Sequence, residues 1–96
     1  MPTNIFSPQS IAIKLAERLR ARRLAEDWSR RTLAERSGVP ESTIKRFETH
    51  GSIGLEALVM LALTLDAADE FAQLFPAKTL TSIEQVQAPQ RQRGRR

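Results

Sequence analysis

Two residues, Gly38 and Pro40, divide the stretch Leu33 to Glu48 (LAERSGVPESTIKRFE) and leave it little choice of fold. Gly38 can adopt the left-handed conformation that closes a helix, and Pro40 has no N–H with which to continue one. One helix therefore ends at Ser37, and a second opens at Pro40, whose restricted φ suits a first helical position. The earlier helix begins near Arg30. Ser29 can accept from its free backbone N–H groups, and Trp28 can pack on Leu33 as a hydrophobic staple. In the later helix Ile44 and Phe47 point inward, and Glu41, Ser42, Lys45 and Arg46 fall on other faces. Two helices joined through so short a glycine-containing turn form either an ordinary hairpin or a helix-turn-helix unit, whose second helix enters the DNA major groove. The pattern alone does not separate these two readings.

The surrounding chain supplies more helices, with a strand or a helical turn open only for the segment at 79–86. Ser7 and Pro8 resemble an N-cap and first helical residue, so helix 1 is expected from there to about Ala25. Its buried stripe is read as Ile11, Leu15 and Leu19 with Ala12, Ala16 and Arg23, while Arg18, Arg20 and Arg22 form a solvated surface. After a loop at 49–54, in which Gly51 and Gly54 allow a sharp turn, helix 4 is expected from about Leu55 to Leu65. That helix is apolar nearly all round, with Met60 and Leu63 left over for an interface. Helix 5 is expected over about Ala68 to Phe75, with Asp66, Asp69 and Glu70 at its N-terminal end. The division is an N-terminal arm over 1–7, a folded domain over 8–76 and a basic tail over 77–96. A short docking segment at 79–86 carries Leu80, Ile83 and Val86.

Charge and composition narrow the partners. In 96 residues, 15 lysines and arginines face 11 acidic residues, and the net charge of +4 suits a polyanion. Eight of those cations precede the turn, and four (Arg91, Arg93, Arg95, Arg96) crowd the terminal PQRQRGRR, which is read either as a DNA-tracking arm or as a solubilising tail. Without cysteine there is no disulfide or thiolate zinc site, and a lone His50 gives no metal-binding cluster, so no metal or cofactor is expected. The apolar run from Ala57 to Leu65 is too short to span a bilayer, and no secretory signal is apparent, so a cytoplasmic location is expected. No nucleophile, base and oxyanion donors converge, which argues against an enzyme. RNA binding by the tail lacks stacking aromatics.

From Leu19 to about Leu65 the chain resembles the Cro/C1-type, or xenobiotic-response-element, helix-turn-helix family. The likeness rests on Arg23, Leu33-Ala34-Glu35, Gly38-Val39, Ser42-Thr43-Ile44, Phe47-Glu48, Gly51 and Leu55-Glu56-Ala57-Leu58. The resemblance implies an all-α, five-helix, lambda-repressor-like domain. It implies that Glu41, Ser42, Lys45 and Arg46 read bases, and that Thr43 contacts a phosphate. Pro40 stands where the family has a residue able to donate. The resemblance also implies a structural ion pair between Arg23 and Glu48, with spare Arg23 donors near a phosphate. Where most members begin helix 2 with a phosphate-binding glutamine, this chain has Arg30, read as a phosphate clamp, followed by Arg31. Related proteins often dimerise near the edge that Phe71, Leu74 and Phe75 occupy here.

The leading functional expectation is a homodimeric repressor that binds a double-stranded operator with inverted symmetry. The alternative is an antitoxin that neutralises a HipA-type kinase toxin and represses its own operon. It is favoured by the small size, the start Ile5-Phe6-Ser7-Pro8 and the tail.

Overall fold

Side chains and backbone signals close to each helix end decide the boundaries in the computed structural model, which describes residues 6–78. Among these residues there are five helices and no strand: α1 (Pro8–Ala25), α2 (Arg30–Ser37), α3 (Glu41–His50), α4 (Leu55–Thr64) and α5 (Ala68–Ala72). The all-α expectation is met. Residues Met1 to Ile5, the segment 79–86 and the terminal arginines lie outside the described residues.

Ser7 caps α1 by accepting from the Ser10 N–H at 3.1 Å, and Ser29 caps α2 by accepting from the Thr32 N–H at 3.0 Å. Gly38, at φ 82°, closes α2 with its N–H on the Ala34 carbonyl at 2.9 Å. Pro40 is the N-cap of α3 and not its first helical residue. Its ψ of 143° keeps it outside the helix, while its carbonyl accepts from Thr43 and Ile44 at 3.0 and 3.1 Å.

The end of α3 also differs from the sequence reading, running past Glu48 so that His50 is its last residue and not part of a loop. Gly51 then stops it at φ 75°. A Cβ at Gly51 would come within 3.1 Å of backbone atoms of Ala12 and Ile13, so glycine lets α3 end directly against α1. Gly54 carries no such demand: its φ is −75° and a Cβ there would meet open space.

Helices α1 and α4 stop without glycine, by the same device. After α1 the Asp27 N–H bonds the Leu24 carbonyl and the Trp28 N–H the Arg23 carbonyl; after α4, Asp66 bonds Leu63 and Ala67 bonds Ala62. Both are Schellman motifs, and both place an aspartate in the left-handed region, at φ 61° and 63°. Helix α5 is shorter than the sequence suggested. It ends at Ala72, leaving Leu74 and Phe75 beyond it, with Phe75 itself at φ 56°.

The core is built on the two helices of the opening motif. Leu33, Val39, Ile44 and Phe47 are fully buried with Leu61 of α4, and Ala16, Leu58 and Leu65 complete the cluster. Burying each such large side chain contributes roughly 1.5–3 kcal/mol. Helix α1 lies along α3 and α4 covers α2, so the pair is gripped from both sides. On α1 the buried stripe runs through Ala16 and Arg23, with Ala12, Leu15 and Leu19 half-buried; Ile11, counted in it from the sequence, is exposed. Small residues face α3 because the helices approach closely there, as the Gly51 contact with Ala12 shows. On α4, Leu55 is 69% exposed despite its place in an apolar run. Met60, expected to be spare, packs on the core, whereas Leu63 is exposed as expected.

Candidate nucleic-acid interface

Helix α3 is amphipathic in a way that serves both purposes of the motif. Ile44 and Phe47 seat it in the core, and Glu41, Ser42, Lys45, Arg46 and Thr49 stand exposed on the remaining faces, with Thr43 half-buried beside them. A shallow groove is lined by Ser42, Lys45, Arg46, Thr49 and His50. Thr49 continues the line of Ser42, Lys45 and Arg46 because 42, 45/46 and 49 share a helical face. Reading the helix as ending at Glu48 concealed that extension. Glu41 and Lys45 make no ion pair within 4.0 Å, so neither charge is spent on its neighbour.

Behind this face one carboxylate collects three arginines. Arg23 reaches Glu48 with two parallel hydrogen bonds, Nε to Oε2 at 2.7 Å and Nη2 to Oε1 at 2.9 Å, and Nη1 donates to the Trp28 carbonyl at 2.7 Å. Arg30 donates from Nε to the same Oε1 at 2.8 Å, and the Arg20 Nε lies 3.9 Å from it. The Glu48 side chain is only 3% exposed. Burial would push its carboxyl up, but the hydrogen bonds from Arg23 and Arg30, reinforced by their charges, outweigh that and hold it below the ordinary glutamate range. The ionised pair ties the C-terminal half of α3 to α1 and to the start of α2.

This arrangement redistributes the roles expected of the arginines. The resemblance left Arg23 donors for a phosphate, yet Arg23 is buried and three of its N–H groups are already engaged. The accessible guanidinium groups belong to Arg30, at the N-terminus of α2, and to Arg20. Sequence reading treated Arg20 as plain surface, because nothing local shows that α1, α2 and α3 converge on one carboxylate. Arg31 turns away and makes an exposed pair with Glu35 at 3.4 Å. Arg36 lies over the Trp28 ring, 4.6 Å from its centroid, so Trp28 serves both the core and a cation.

The residues expected at a dimer edge are divided by the fold. Phe71 packs against the core, whereas Leu74 and Phe75 are exposed, Phe75 to 88%. Leu15, Leu55, Leu58, Ala62, Phe71 and Leu74 line an apolar groove of about 240 Å³. Glu70 at its rim takes a two-oxygen hydrogen bond from Arg22 Nη2, at 2.6 and 2.7 Å, a contact the sequence did not disclose.

Among the described residues no cluster of three or more His, Cys, Asp or Glu could hold a metal ion, and no helix is long and apolar enough to cross a membrane. No curated protein matches the chain. A family model described as a helix-turn-helix domain matches residues 14–74, which contain α2 to α5 and most of α1. The match, the glycine-closed turn and the polar outer face of α3 together show that the chain belongs to the helix-turn-helix family of DNA-binding domains.

Proposed function

We propose that the protein is a sequence-specific transcriptional repressor that acts as a homodimer in the cytoplasm, with α3 in the major groove. The observation that carries this reading is the division of α3: Ile44 and Phe47 anchor it, and Ser42, Lys45 and Arg46 stand clear of any partner within the fold. Arg46, long and forked, suits guanine O6 and N7; Glu41 can accept from cytosine N4, and Ser42 and Lys45 complete the reading face. Thr43 and Arg30 hold phosphates and set the register of α3, while Arg23, buried on Glu48, braces α3 from behind. A second copy meeting the first at Leu74, Phe75 and the rim of the groove at Phe71 would supply a second α3 for the other half-site.

Selection of bound sequences from a random double-stranded pool tests this. The expected outcome is an inverted repeat whose half-site centres lie about one helical turn, roughly 10 bp, or a multiple of it, apart. Failure to enrich any sequence would remove the reading of α3 as a recognition helix, and enrichment of a single unrepeated site would remove the dimer.

The exposed apolar residues Leu55, Leu63, Leu74 and Phe75 also fit the alternative, an antitoxin that holds a kinase-like toxin. Affinity purification of the native protein from its own cells separates the two. A stoichiometric kinase-like protein in the eluate would favour the antitoxin, and a second copy alone with promoter DNA would favour the repressor.

A further inference from the structure

Three guanidinium groups converge on Glu48, yet one carboxylate neutralises only one of them. Arg23 takes that role: it is buried and makes both parallel hydrogen bonds. Arg30 and Arg20 are left as two uncompensated cations, with side chains 33% and 52% exposed. Arg30 uses only its Nε, and Arg20 makes no hydrogen bond to Glu48 at 3.9 Å, so most of their five N–H donors each remain open. No other carboxylate lies within 4.0 Å of either one among the described residues. Arg30 is also the first residue of α2, where backbone N–H groups and the helix dipole favour an anion; Ser29 already occupies the Thr32 N–H. Like charges held around one oxygen repel, and an added anion relieves that repulsion.

We propose that Arg20 and Arg30 together form the seat for one backbone phosphate of DNA, with Glu48 as the post that fixes where both guanidinium groups stand. The inference rests on the DNA-binding reading above and adds to it a residue of α1 and a shared site. A phosphodiester offers two non-bridging oxygens, enough to accept from both side chains at once, and Arg–phosphate pairing suits the planar fork. Because Glu48 belongs to α3, the phosphate contact and the base-reading face move as one body, so the seat sets the depth and angle at which α3 enters the groove.

The test is a double-variant cycle on the full chain, with affinity for a random-sequence duplex measured at low salt and again at higher salt. Arg20→Ala should weaken binding about five- to tenfold, alike on every sequence, and less so at higher salt. Arg20→Lys should keep most of the affinity, and Arg31→Ala, outside the cluster, should keep nearly all of it. In an Arg30→Ala background the effect of Arg20→Ala should shrink markedly, since the two share one phosphate. Arg20→Gln, which preserves the aliphatic stem, carries the same expectations should the alanine variant melt early. Wild-type affinity for the Arg20 variants would overturn the seat, and fully multiplicative losses would overturn its sharing; both outcomes leave DNA binding intact. A wild-type chain that binds no duplex at all would remove the DNA reading and the seat together.

Discussion

Asp27 and Asp66 each hold a left-handed backbone conformation that an L-residue adopts at a cost, and each does so to finish a Schellman motif. Glycine lacks that cost, so Asp27→Gly and Asp66→Gly should each raise stability by about 0.5 kcal/mol, net of the chain entropy that glycine adds. Thermal melting of the single and double variants checks this, and a lower midpoint in both would show that the aspartate side chains contribute more than the backbone loses. Glu48 lies at the opposite extreme. Glu48→Gln leaves Arg23 buried without its counter-charge and should cost about 3 kcal/mol in denaturant unfolding. The same residue sets a pH dependence. Its carboxyl is held low in the fold, so its contribution is fully present above the ordinary glutamate value of about 4.3 and is lost as pH falls through its folded value. Wild type should therefore lose stability below about pH 4 more steeply than Glu48→Gln, as melting curves collected across that range would reveal.

At the scale of elements, α3 carries two separable sets of residues. Arg46→Ala should lower discrimination at one base pair by about 1–3 kcal/mol and leave melting unchanged, because Arg46 is exposed and touches nothing in the core. Phe47→Ala, one residue on, should cost about 3–5 kcal/mol of stability, because its ring is fully buried among Leu33, Ile44 and Leu61. Binding curves to a selected site and to single-base variants, set beside unfolding curves, distinguish the two. Loss of stability in Arg46→Ala would mean that the outer face of α3 is structural after all. Helix α2 depends on its cap in the same local way, through Ser29 and the Thr32 N–H.

At the scale of the whole molecule, a small core leaves an apolar rim uncovered. Leu55 and Leu74 are exposed along the groove that Phe71 and Leu58 also line, and Phe75, next in sequence to Leu74, is exposed as well. Leu74→Glu together with Phe75→Ser should convert the proposed dimer to monomer in sedimentation, with at least about tenfold weaker self-association, and should leave the fold melting near the wild-type midpoint. An unchanged sedimentation coefficient would move the dimer surface elsewhere. The tie between Arg22 and Glu70 acts at this scale too: its hydrogen bonds join α1 to α5 across the surface, lower the Glu70 carboxyl and raise the Arg22 guanidinium.

What the sequence determined by itself is what short-range chemistry can encode. Ser7 and Ser29 as caps, Gly38 as a stop, and Ile44 with Phe47 as an inner face all involve partners within a turn or so, and the pattern of polar positions on α3 was legible for the same reason. The ends of α1 and α4 fall at Ala25 and Thr64, close to where the apolar pattern places them, but the left-handed aspartates that close them carry no signal comparable to glycine. Only the tertiary structure decided which of several equivalent arginines matters. Arg23 stood apart already, on the buried stripe and by resemblance, but Arg18, Arg20 and Arg22 look alike along α1, and their fates separate only when α3 brings Glu48 near Arg20 and α5 brings Glu70 to Arg22. The same holds for the apolar residues: Leu55 and Leu61 are chemically identical on one helix, and one is exposed while the other is buried because α2 covers one side of α4 only. Periodicity says that a face exists, and the packing of distant elements decides which face is covered.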